Sequence, residues 1–81
     1  MEKIITNKSF SENLKRIRKE SGLTQEETVA KLQLLGSSIS RSTYSLIEMG
    51  RGNIFISDLV GLQQIFNTDF KEFFDGISTQ R

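Results

Sequence analysis

The 81-residue chain contains no cysteine, no histidine and no proline. Without cysteine there is no disulfide framework, and a small domain of that kind suits a reducing cytoplasm, the expected location. Without histidine, the commonest general base and the commonest zinc ligand are both missing. No Gly-rich phosphate loop occurs, nor any serine or carboxylate pair with a partner to activate it. The sequence therefore predicts no catalytic residue, no metal site and no cofactor, which points away from an enzyme. No apolar run nears the ~20 residues needed to cross a bilayer, and the N-terminus lacks the apolar stretch of a signal peptide, so no membrane role is expected.

The length suits one domain with a modest core, burying roughly 60% of its unfolded surface. The net charge of +1 hides an asymmetry. Residues 1–51 hold nine Lys/Arg against six Asp/Glu, and residues 52–81 hold two against four. A basic front and an acidic back are compatible with an anionic partner docking on the front face.

Apolar periodicity predicts five short amphipathic helices and no strand. Residues 1–8 read as a loose arm, because Lys3, Asn7 and Lys8 interrupt any period. The first helix is expected from about Phe10 to Ser21, with Phe10, Leu14 and Ile17 as its apolar stripe, Ser9 or Ser11 as its cap and Gly22 as its stop. The second opens on Thr24-x-x-Glu27, a capping box in which hydroxyl and carboxylate each satisfy an orphaned backbone N–H. Val29 and Leu32 face inward there. Leu34 or Leu35 is expected to carry the helix about one turn further and pack on the core, with Gly36 ending it.

The third helix runs from a Ser40 cap to near Met49. At 100° per residue Tyr44 and Ile47 share its inner face, while Ser42, Ser45, Leu46 and Met49 point outward and Arg41 and Glu48 flank the buried stripe. The fourth covers roughly Ile56 to Phe66, with Leu59, Leu62, Ile65 and Phe66 inward. The fifth opens at Asp69, and Phe70, Phe73 and Phe74 close the core. From Ser78 the tail is polar and expected to fray. A capped helix, a turn and a helix with a small polar outer face form the pattern of a helix-turn-helix DNA reader.

The residues that carry this pattern are Leu14-Lys15-Arg16-Ile17-Arg18, Gly22-Leu23-Thr24-Gln25-Glu26-Glu27, Ser40-Arg41-Ser42-Thr43, Ile47-Glu48 and Gly50-Arg51. Leu59, Leu62, Phe66 and Glu72-Phe73-Phe74 follow at matching spacing. Over residues 10–75 the chain resembles the phage-repressor and Cro type of helix-turn-helix protein, the XRE family. The resemblance implies an all-α fold, a five-helix bundle whose third helix enters the major groove of double-stranded DNA while the second crosses the backbone. It divides the chain into an N-terminal arm (1–9), a DNA-binding domain (10–75) and a C-terminal tail (76–81).

Carried over by position, Ser40, Arg41, Ser42 and Ser45 are the expected base readers, and Leu46, outward beside them, is expected either to read a thymine methyl or to belong to a protein contact. Gln25, Arg51 and Asn53 are the expected phosphate contacts. Arg18 and Glu48, flanking the buried stripes of their helices at positions commonly paired in the family, are expected to form a structural ion pair. Three departures stand out, the first being Leu46 at a place often filled by a polar reader. The five residues Gln33-Leu34-Leu35-Gly36-Ser37 lengthen the second helix and its turn, and Ile54 stands where many members have proline. The function implied is a sequence-specific, repressor-like transcriptional regulator, acting as a homodimer on a two-fold symmetric site. The alternative is a protein-interaction module, such as an antitoxin-like subunit that neutralises a partner protein, with Leu46, Ile54 and Phe55 as its exposed apolar groups.

Overall fold

The computed structural model describes residues 3–5 and 7–77. In chain order its elements are β1 (Lys3–Ile5), α1 (Lys8–Glu20), α2 (Gln25–Leu34), α3 (Arg41–Glu48), β2 (Asn53–Phe55), α4 (Ile56–Phe66) and α5 (Phe70–Phe73). The five helices carry the fold and enclose one core. Phe10, Leu14 and Ile17 of α1, Val29 and Leu32 of α2, Tyr44 and Ile47 of α3, Leu59, Leu62 and Phe66 of α4 and Phe73 of α5 meet in it. These are the apolar stripes of the sequence, brought face to face because burying them is the main gain of folding.

The sequence pattern holds no strand, yet β1 pairs antiparallel with β2, Ile4 opposite Ile54. The short pairing escapes periodicity because three residues are too few to show alternation. It also corrects the expectation for Ile54, which is 1% exposed and part of the core. Phe55 is half-buried beside it. The fraying expected from Ser78 onward lies outside the described residues.

Helix ends follow side-chain chemistry closely. Asn7, not Ser9 or Ser11, caps α1: its Oδ1 accepts from the Phe10 N–H at 2.7 Å, so the helix begins two residues earlier than the apolar stripe suggests. Ser11 is instead buried and donates its hydroxyl to the Ile47 carbonyl, tying α1 to α3. In α2 both halves of the capping box are present, Glu27 N–H to Thr24 Oγ1 at 3.0 Å and Thr24 N–H to Glu27 Oε1 at 2.9 Å. Ser40 caps α3 by accepting from the Thr43 N–H at 3.1 Å.

The short α5 is held by α1. Asn13 Nδ2 donates to the carbonyls of Phe73 (3.0 Å) and Asp75 (2.8 Å), and the Phe10 ring stacks on Phe73. Phe73 is wholly buried, whereas Phe70 and Phe74 are partly exposed. A helix of four residues presents only one position to the core, so the expectation that all three phenylalanines close it is corrected to Phe73 alone, with Phe74 tilted against Phe10 at the rim.

Of the lengthened segment after Leu32, Gln33 and Leu34 are helical and Leu35 and Gly36 form the turn that follows. Helix α2 runs to Leu34 and Gly36 ends it with φ +103°, a conformation open to glycine and costly for other residues. Contrary to expectation the added leucines do not enter the core: Leu34 is 87% and Leu35 56% exposed. At one residue per 100°, Leu32 already fills the inward position, and Leu34 falls on the far side of the helix. The neighbouring α4 comes close because residue 61 is glycine: a Cβ there would stand 2.9 Å from Leu32 Cδ2.

The two leucines should therefore behave oppositely in urea unfolding. Leu32→Ala is expected to lose about 2–5 kcal/mol through a cavity. Leu34→Lys should stay within about 0.5 kcal/mol of the parent. A large loss from Leu34→Lys would show that the residue is buried in solution.

Candidate nucleic-acid interface

The geometry of the candidate interface begins from a buried charge. Glu48, near the end of α3, is almost wholly enclosed and accepts three hydrogen bonds. Arg18 of α1 binds it in a fork, Nε to Oε2 at 2.7 Å and Nη2 to Oε1 at 3.0 Å, and Gln25 Nε2 of α2 reaches Oε1 at 3.1 Å. The remaining arm of Arg18, Nη1, donates to the Leu23 carbonyl at 2.8 Å. One carboxylate thus fixes three helices, and one guanidinium fixes the turn between α1 and α2. A bidentate arginine is suited to this because its donors are held in a plane that matches a carboxylate.

The network continues outward. Gln25 Oε1 accepts from Arg41 Nε at 3.2 Å, and Arg41 Nη1 reaches Glu26 Oε1 at 3.3 Å. The first residues of α2 and α3 are therefore linked side by side at the surface, although 16 residues separate Gln25 from Arg41 in the chain. The capping box satisfies the Glu27 N–H, but the N–H groups of Gln25 and Glu26, being in the first turn, have no carbonyl of their own helix to bond. They mark the positive end of α2 and are available to an anion.

Along the outer face of α3, Arg41, Ser42 and Leu46 are exposed and Ser45 is half-buried, with Met49 exposed at the far end. Ser40 is spent mainly on structure: its oxygen caps Thr43 N–H, its proton goes to Thr43 Oγ1 at 3.0 Å, and Ser42 Oγ lies 3.2 Å away. Arg51 is exposed after α3, its N–H donated to the Leu46 carbonyl at 2.9 Å, which leaves the guanidinium at the surface. Asn53 is exposed at the start of β2 and lines a cleft with Ser38, Ser40 and Thr43. The extended α2 does not cover α3, so the residues expected to read bases and those expected to hold phosphate lie on accessible surface.

Glu26 is the residue of this surface that sequence reading misses. An acid in the first turn of a helix is explained by the helix dipole alone, and nothing local signals that α3 brings an arginine to it. The involvement of Gln25 with Glu48 is equally invisible in the chain.

Burial by itself pushes the Glu48 carboxyl up, but the hydrogen bonds from Arg18 and Gln25, with the charge of Arg18, outweigh it and hold the group below the usual glutamate range. The Tyr44 hydroxyl faces the same pair from inside the core, short of hydrogen-bond geometry, and burial drives its phenol well up. A depressed carboxyl in the folded state means the unfolded chain takes up the proton first as pH falls. The stability contributed by Glu48 is therefore complete above the usual glutamate range and is lost as pH drops through the depressed value. Thermal melts across pH should show this acid-side fall in the parent protein and a shallower one in Glu48→Gln. Arg18→Ala, which strands the buried carboxylate, should cost roughly 3–5 kcal/mol at neutral pH in urea unfolding.

Among the described residues no helix is long and apolar enough to cross a membrane, and no group of three or more acidic, His or Cys side chains is placed to hold a metal ion. A family model described as helix-turn-helix matches residues 14–73, from the apolar stripe of α1 to the end of α5. No curated protein and no solved structure matches the chain. With most of its length matched, and with a capped α2 set beside an exposed α3, the chain belongs to the XRE-type helix-turn-helix family of DNA-binding transcription regulators.

Proposed function

We propose that the protein is a sequence-specific repressor that places α3 in the major groove of duplex DNA and binds as a homodimer on a two-fold symmetric site. The observation that carries this reading is the outer face of α3. Ser42 and Ser45 give it little bulk between Arg41 and Leu46, it is uncovered, and its first residue is linked to the start of α2. A helix so placed can approach base edges while α2 rests on the backbone. Occupying a promoter is enough for repression and asks for no catalytic group.

In this reading Arg41 contacts guanine. Two of its five donors are engaged by Gln25 and Glu26, and Nη2 has no partner among the described residues, so a fork toward O6 and N7 remains available. Ser42 and Ser45 add short polar contacts, with Ser40 contributing only if it leaves its cap, and Leu46 packs on a thymine methyl. The start of α2 at Gln25, together with Arg51 and Asn53, holds phosphates on either side. A monomer of this size covers little DNA, which favours two copies on adjacent half-sites.

A second reading, the antitoxin-like module, draws on the exposed Leu34 and Leu35 together with Leu46. It loses Ile54, which is buried, from the apolar groups that first suggested it. Salt separates the two readings, since phosphate contacts weaken steeply with ionic strength and an apolar interface does not.

Selecting bound duplexes from a random pool, then titrating single-base variants, tests the proposal. Arg41→Ala should cost about 1–3 kcal/mol on the selected duplex and relax preference at one base pair per half-site. Arg51→Ala should weaken all duplexes alike and reduce the log–log salt slope by about one unit. If Arg41→Ala lowers every affinity by the same factor, Arg41 is an anchor and reading belongs elsewhere on α3.

A further inference from the structure

We propose that Glu26 determines specificity by making Arg41 a poor phosphate ligand while leaving it a good guanine ligand. The inference rests on the reading of Arg41 as a base contact. Glu26 is the second residue of α2, largely exposed, and the one hydrogen bond of its side chain among the described residues is the ion pair to Arg41 Nη1. Thr24 and Glu27 complete the capping box without it, so Glu26 serves the helix only through its charge near the N-terminus.

A phosphate and a base edge meet this carboxylate differently. A phosphate approaching Arg41 brings a second negative charge beside Glu26, and that repulsion strengthens as docking removes water. The O6 and N7 edge of guanine carries only partial negative charge and meets a much smaller penalty. It also needs only two donors, and Arg41 retains Nη2 and the second proton of Nη1 while Gln25 and Glu26 keep their bonds. Gln25 adds position: its own amide is anchored on Glu48, so its Oε1 holds Arg41 Nε at a fixed place beside α2. Sequence-blind contacts are suppressed, and the reading contact is kept.

The test measures affinity across a salt series for the duplex selected by the parent protein and for a random-sequence duplex. The proteins are the parent, Glu26→Gln, Arg41→Gln and the double variant, each first shown to melt as the parent does. Glu26→Gln is expected to bind random duplex about three- to fivefold more tightly and the selected duplex less than about twofold more tightly, so that the ratio between them falls. Its salt slope on random duplex should steepen by about one unit. In the Arg41→Gln background the gain should disappear. The proposal is overturned if Glu26→Gln shifts both duplexes by one factor, shifts neither, or gives the same gain without Arg41. If the parent protein itself prefers no duplex, the DNA-reading proposal fails and this one with it. A parent that discriminates, beside a Glu26→Gln that discriminates equally well, removes this proposal alone.

Discussion

The fork between Arg18 and Glu48 is the interaction from which the rest of the surface is built. A carboxylate so deeply enclosed is tolerable only because every approach to it carries a donor. That requirement is also a positioning device. To keep Glu48 satisfied, α1 must supply Arg18, α2 must turn Gln25 inward, and α3 must sit at one depth and one rotation. Through Gln25 the same constraint reaches Arg41, and through Arg41 it reaches Glu26. A buried charge at the centre thus orients the exposed charge at the edge, and the two helices of the DNA-binding unit share a hydrogen-bonded spine as well as an apolar seam.

The extra residues between Leu32 and Ser38 show how such a unit absorbs added chain. The core accepts nothing more, because Leu32 already meets the space opened by Gly61. The added residues therefore extend α2 only to Leu34 and then turn at the surface, and the return to α3 is secured locally. Gly36 reverses direction, the Ser37 hydroxyl accepts from the Ile39 N–H, and Gln33 Nε2 donates to the Ile39 carbonyl at 2.9 Å. Ile39 then re-enters the core just before the Ser40 cap. The start of α3 is recovered because the residues before it are tied down, which is why a longer connection leaves the outer face of α3 uncovered.

Most of the helices were legible in the residues. The capping boxes, the 3.6-residue stripes and the glycine stops are local devices, and they act over a few residues whatever the remainder of the chain does. Thr24 with Glu27, Ser40 with Thr43, and the boundaries of α4 at Ile56 and Phe66 fall where such signals put them. The meeting of Arg18 with Glu48 was legible only through family likeness, because no local pattern joins residues 30 apart. The Asn7 cap was missed because a serine on either side of Phe10 offered an equally good local reading. The fate of the phenylalanines near the end turned on how much core a four-residue helix can reach.

By itself, then, the sequence determined the elements and most of their inward faces: five helices, and on α3 an outer face that begins with Arg41 and Ser42. Tertiary structure decided what lies beside what. It gave Ile54 a strand partner and a place in the core, left Leu34 in water, spent the Gln25 amide on a buried carboxylate and set Glu26 against Arg41. The physical reason is range. Capping and periodicity are settled within a turn or two of helix, whereas burial and charge pairing depend on surfaces that come together only when the whole chain has closed.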